Sequence, residues 1–158
     1  VVESGGPWRW IVFYGEFRHS VDNKGRVIIP AKFRLVLKDK YIEKFYVTRG
    51  LERCLFLFTE NDWNLLEQKF KNLPLTQGTA RAFSRLLFSG AYEATCDKQG
   101  RILIPNHLLQ YARITKDVLV VGVSNRIEIW DVNTWDEFSK ISLSDYEKIA
   151  EELVEKGI

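Results

Sequence analysis

Asp22-Asn23-Lys24-Gly25-Arg26-Val27-Ile28-Ile29-Pro30 returns as Asp97-Lys98-Gln99-Gly100-Arg101-Ile102-Leu103-Ile104-Pro105. Asp, Gly, Arg and Pro keep their spacing, and three apolar residues fill the same gap. The chain therefore contains a duplicated unit, and an internal repeat has to be settled before any other feature is interpreted. Asp followed three residues later by Gly marks a tight turn, because Asp bonds nearby backbone and Gly tolerates positive φ. The short apolar run after Arg suits a buried strand. Pro then ends the strand and can open a helix. Each copy reads as strand, turn, strand, helix, with Arg26 or Arg101 at the shoulder of the turn and Lys24 or Lys98 close by.

The repeat extends on both sides of the nonamer. Phe13 to Val21 alternates like a strand. Ala31 to Leu37 is expected to be a short helix, with Phe33 and Leu37 on one face. Phe45 to Thr48 and Cys54 to Phe58 form a hairpin around Gly50. Thr59 and Asp62 then look like the cap of a helix carrying Trp63, Leu66 and Phe70. Gly78 to Phe88 is expected to be a linking helix with Ala80, Phe83 and Leu87 inward, and Arg81 and Arg85 four apart on another face. The second copy replays this: a short helix from Pro105 to Tyr111, strands over Val118 to Val123 and Ile127 to Trp130, and a helix from Asp131 to Ile141 with Trp135 in the place of Trp63. A last amphipathic helix is expected over Ser142 to Lys156, capped by Ser144 and Glu147, with an apolar face of Tyr146, Ile149, Ala150, Leu153 and Val154. The expected fold class is α+β, mainly β: a pseudo-twofold barrel of two tandem repeats with peripheral helices. Spacing alone leaves a two-lobed arrangement open.

Composition bounds the function. The 158 residues are 46% hydrophobic and 13% aromatic, ample for a core. Net charge is only +2, which does not announce a nucleic-acid binder. Its distribution is uneven, with nine bases against four acids from Gly15 to Arg49 and an acidic excess after Asp145. Cys54 and Cys96 sit apart with no His/Cys cluster, so a metal site is not expected. His19 and His107 have no ligand set around them. The apolar run Val118 to Val123 is too short to span a bilayer, and residues 1–11 lack the pattern of a signal peptide. A cytoplasmic protein is expected. No cofactor or small-molecule substrate is indicated.

Phe13-Tyr14-Gly15-Glu16-Phe17-Arg18-His19-Ser20-Val21-Asp22-Asn23-Lys24-Gly25-Arg26 closely resembles the start of the MraZ family, bacterial regulators of the division and cell wall gene cluster. Arg85-Leu86-Leu87-Phe88-Ser89-Gly90-Ala91, leading into the second unit, does the same. The resemblance runs from about Val12 to the C-terminus, and Val12 stands where that family usually starts with Met. Residues 1–11 therefore read as a dispensable extension. Residues 12–75 form the first repeat with its helix, 76–90 the linking helix, and 91–158 the second repeat with the C-terminal helix.

The resemblance implies an AbrB-like swapped-hairpin barrel of double-psi type and binding of double-stranded DNA at short direct G-rich repeats upstream of the protein's own operon. It also implies assembly into a closed ring, commonly octameric, and association with the nucleoid. The family's Asp-x-x-x-Arg motif falls on Asp22/Arg26 and Asp97/Arg101. Its DNA-contacting bases map onto Lys24 and Arg26, and further onto Arg101 with Lys98 beside it. Gln99 stands where the first copy has Lys24, so the two turns need not contribute equally.

Each residue also has a plainer role. Arg26 and Arg101 could reach guanine or phosphate, or could simply brace their own turns through Asp22 and Asp97. Asp22, Gly25, Asp97 and Gly100 are expected to shape the turns. Lys24 is a phosphate contact or a solvated lysine, and Arg81 and Arg85 fit a solvated helix face. Trp63 and Trp135 fit packing. Two other functions compete with DNA regulation: an antitoxin-like module that neutralises a partner protein, and an enzyme on a related barrel. No nucleophile–base pair, metal spacing or phosphate loop supports the last.

Overall fold

The computed structural model describes residues 12–39 and 44–157. Residues 1–11, expected to be a dispensable extension, lie outside the described residues. The first repeat supplies β1 (Phe13–Ser20), β2 (Arg26–Ile28), α1 (Ala31–Asp39), β3 (Lys44–Arg49), β4 (Leu55–Thr59) and α2 (Glu60–Lys71). α3 (Gly78–Ser89) links to the second repeat. That repeat supplies β5 (Tyr92–Thr95), β6 (Arg101–Leu103), α4 (Asn106–Tyr111), β7 (Asp117–Ser124), β8 (Arg126–Asp131) and α5 (Val132–Ser144), and α6 (Tyr146–Glu155) follows.

Each repeat completes the other. β1 pairs antiparallel with β7 of the second copy, from Phe13 opposite Ser124 to Ser20 opposite Asp117. β5 pairs with β3 of the first, from Lys44 opposite Thr95 to Val47 opposite Tyr92. β4 and β8 join the two hairpins, giving a six-stranded sheet in the order β1-β7-β8-β4-β3-β5. β2 and β6 form a separate ribbon centred on Val27 opposite Ile102. Past this ribbon the Ile29 N–H donates to the Gly100 carbonyl and the Ile104 N–H to the Gly25 carbonyl, both at 2.8 Å. The swapped-hairpin α+β fold stands, and a two-lobed arrangement does not. Exchange of hairpins gives β3, β4, β7 and β8 two partners each and leaves β1 and β5 at the edges of the sheet.

The core follows from the repeat. Val27 and Ile102, Ile29 and Ile104, Val47 and Val120, and Leu57 and Ile129 occupy matching positions, and all are buried. Phe33 of α1 meets Phe13 and Phe17 edge-on at 5.2 and 5.1 Å. Pro30 and Pro105 each sit one residue before a helix, their carbonyls accepting the first helical N–H groups. The two outer helices are capped at matching positions. The Thr59 hydroxyl accepts from the Asp62 N–H at 3.3 Å, and the Asp131 carboxylate from the N–H groups of Asn133 and Thr134. Trp63 is buried and stacks on Tyr46 at 5.2 Å, and Trp135 meets Trp130 edge-on at 5.1 Å. Both tryptophans pack, as expected.

Three local expectations need correction. α5 runs on to Ser144, whose hydroxyl donates back to the Ile141 carbonyl at 2.7 Å and does not cap a following helix. The break falls at Asp145, so the last helix starts at Tyr146 without a side-chain cap. Phe83, expected to face inward, packs on Phe70 at 5.5 Å but stays 41% exposed. The apolar residues of α6 are exposed along its whole length.

Candidate nucleic-acid interface

Ribbon pairing brings the two repeated turns together at one end of the fold. In the first turn, Asp22 accepts three hydrogen bonds. Oδ1 takes the N–H groups of Lys24 and Arg26, each at 2.9 Å, and Oδ2 takes Arg26 Nε–H at 2.7 Å. The Gly25 N–H donates to the Asp22 carbonyl at 3.0 Å, and its φ of 82° is one that side-chain-bearing residues rarely adopt. The second turn repeats the pattern. Asp97 Oδ1 takes the N–H groups of Gln99 and Arg101, Oδ2 takes Arg101 Nε–H, all at 2.9 Å, and Gly100 has φ 80°.

A carboxylate that accepts several N–H bonds is held ionised. The Arg26 backbone N–H, followed by the Arg26 side chain and the Lys24 N–H, holds the Asp22 carboxyl down at about 2. Asp97 is lowered by the matching set, led by the Arg101 backbone N–H. Each aspartate is thus hydrogen-bonded to the arginine of its own turn. Bracing uses Nε, one of five guanidinium N–H groups, so it orients each arginine without consuming its hydrogen-bonding capacity. Arg26 and Arg101 are both about a quarter exposed. Lys24 and Lys98 are exposed.

Two features of the site were not foreseen. Arg101 Nη1 also lies 3.7 Å from Asp22 Oδ2, so the turns share a carboxylate. The second is Arg34, on α1. Its Nε–H donates to the Ile29 carbonyl at 2.8 Å, and its side chain lies over Gly100, where an added Cβ would come within 2.5 Å of it. Burial and, after it, Arg34 lower the His19 pKa. At the matching position of the other repeat stands Leu109, 3.6 Å from the Cβ site of Gly25. A groove of about 720 Å³ opens there, lined by Lys24, Gly25, Asn106, Gln110, Arg113 and Thr115 among others. The mismatch of Arg34 with Leu109 in the aligned repeats was the available signal.

The remaining cations divide. Arg81 donates to the Leu75 carbonyl at 2.6 Å and so holds its own loop. Arg49 and Thr48 donate to the carbonyls of Leu86 and Leu87 at 2.6 and 2.5 Å, fixing the end of the linking helix. Among the described residues no cluster of three His, Cys, Asp or Glu could hold a metal, and no helix is long and apolar enough to cross a membrane.

The family model described as "MraZ protein", with the qualifier "antitoxin-like", matches the chain twice, over residues 12–86 and 87–156. A protein of Natranaerobius thermophilus named "Transcriptional regulator MraZ" is 52% identical over 147 residues, covering 93% of this chain and 100% of the relative. A protein of the same name from Desulforamulus reducens is 49% identical over 144 residues, covering 91% and 99%. With both repeats matched and half of the residues shared over nearly its whole length, the chain belongs to the MraZ family.

Proposed function

We propose that this protein is a DNA-binding transcriptional regulator, not an enzyme, and that its two braced turns are the reading surface. Arg26 and Lys24 make the principal contacts, Arg101 and Lys98 supplement them, and Asp22, Gly25, Asp97 and Gly100 hold the backbone in place. The observation that carries this is the joined pair of turns. Two arginines sit side by side, each fixed through Nε and linked through Asp22, on a strand ribbon of the kind that enters the major groove. The relatives named transcriptional regulators support the same reading. The targets are short direct G-rich repeats upstream of the protein's own operon in the division and cell wall cluster, for a protein working in the cytoplasm at the nucleoid. The repeats span residues 12–75 and 91–158, joined by the linking helix at 76–90.

Assembly completes the mechanism. Each phosphate neutralised on duplex DNA adds roughly 0.9 to the salt slope, so the few cations of one protomer bind weakly. A ring, octameric as in the family, presents identical turns to successive DNA repeats and raises affinity through effective concentration. A gel-shift titration with an upstream promoter fragment tests the reading: a shift lost on scrambling the repeats supports it. The description "antitoxin-like" favours a second reading, capture of a partner protein. A chain that leaves every promoter fragment unshifted while co-purifying with one stoichiometric partner would establish that reading instead.

A further inference from the structure

α6 is a helix with no visible reason to be stable. It has ten residues, none of them buried, and its main neighbour is α5. Isolated helices shorter than about 12 residues are marginal in water, and packing of an apolar face normally holds them. That face exists: Tyr146, Ile149, Ala150, Leu153 and Val154 form one stripe, and Val154 is 70% exposed. The comparison with α3 sharpens the point. α3 follows α2 as α6 follows α5, yet α3 lies against β3 and sends Phe88 onto Trp63 at 5.4 Å. Among the described residues α6 packs chiefly on α5, and so large an exposed apolar stripe marks an interaction surface.

We infer that α6 docks into the cleft between α2 and α3 of a second copy of this chain. That cleft is about 180 Å³ and is lined by Phe70, Leu73, Leu75, Ala80, Arg81 and Arg85, among others. It is smaller than the roughly 300 Å³ of the smallest ordinary ligand sites, and suits protruding side chains rather than a metabolite. Charge selects the occupant. Arg81 and Arg85 stand four apart on α3, a rise of about 6 Å. Glu147 and Glu151 stand four apart on α6, directly beside the apolar stripe by helical spacing. The stripe fills the cleft while the acids meet the arginines. The donor and acceptor surfaces differ, so the contact is heterologous and can propagate from copy to copy. This deepens the assembly part of the proposed function and rests on that part alone, not on contact with DNA.

The experiment is light scattering on purified protein without DNA, with circular dichroism to confirm folding. Wild type is expected at a multiple of the monomer mass. Glu147→Arg with Glu151→Arg, and separately Arg81→Glu with Arg85→Glu, should each give folded monomer. Mixed in equal amounts they should reassemble, because each then offers the charge the other needs. Ile149→Asp with Leu153→Asp leaves the Arg81 loop contact untouched and should also give monomer. A monomeric wild type, either charge pair retaining wild-type mass, or a folded mixture that stays monomeric would overturn the inference. Because DNA is absent, none of these outcomes depends on whether the turns read DNA.

Discussion

Arg101 bridges the two repeats: its Nε holds Asp97 at 2.9 Å while its Nη1 lies 3.7 Å from Asp22. Asp22 in turn holds Arg26 at 2.7 Å. The four groups form one chain, Arg26–Asp22–Arg101–Asp97, in which Asp22 and Arg101 each have two partners. The turns are thus coupled, although their sequences read as two separate units. Asp22→Asn should loosen both turns, and Asp97→Asn chiefly the second. Thermal denaturation should rank Asp22→Asn below Asp97→Asn, and amide exchange should show protection lost at Gly25 and Arg101 together in the former. Equal effects would mean that the shared carboxylate contributes nothing.

Acid should undo the same network. The Asp22 carboxyl lies at about 2 in the folded chain against 3.8 for an ordinary aspartate. A depressed carboxyl stabilises the fold fully above its unfolded value and ceases to as pH falls through the folded one. Its contribution is therefore present above about pH 4 and lost progressively towards pH 2. Asp22→Asn has no such carboxyl, so its stability should fall less steeply than wild type across that window. Denaturant titrations at several pH values measure the difference, and parallel profiles would contradict it.

The turn glycines should differ. Gly25 and Gly100 share positive φ, and an L-residue there costs roughly 1–2 kcal/mol. Alanine at 100 also meets the Arg34 side chain, which can move aside only by giving up its bond to the Ile29 carbonyl. Gly100→Ala is expected to be the more destabilising of the two, and Arg34→Leu, which installs the residue type of Leu109, should remove the difference. A double-mutant cycle in urea measures it.

Ile102 lies fully buried opposite Val27 in the ribbon that sets the turns side by side. Ile102→Ala should destabilise the protein by about 2–5 kcal/mol. Repeat-specific DNA binding should weaken even under conditions where the variant remains folded. Unfolding curves and binding isotherms taken at the same temperature separate the two effects.

Much of this is legible in the sequence. The repeated Asp-x-x-Gly-Arg units, the buried strands after them and the cap at Thr59 follow from local chemistry, and local chemistry is what single-chain patterns record. The exchange of hairpins was not derivable, because β1 could pair with either repeat's hairpin without changing one residue of its own alternation. The Arg101–Asp22 approach and the Arg34–Gly100 contact join residues far apart in sequence, so spacing carried no trace of them beyond the Arg34/Leu109 mismatch. Ser144 and Glu147 misled for a physical reason. The spacing of a capping box was present, but the Ser144 hydroxyl was already committed to the Ile141 carbonyl at the end of α5.

The most direct test of the central claim is fluorescence-anisotropy binding to a duplex carrying several G-rich direct repeats. Wild type, Arg26→Ala and Arg101→Ala should be compared over a range of salt. Wild type should bind with an affinity that falls steeply as salt rises. Arg26→Ala should lose repeat-specific binding at unchanged fold and assembly, and Arg101→Ala should lose less. Normal binding by both variants would make the arginines turn braces alone, and wild type without salt-dependent binding would contradict the regulator account itself.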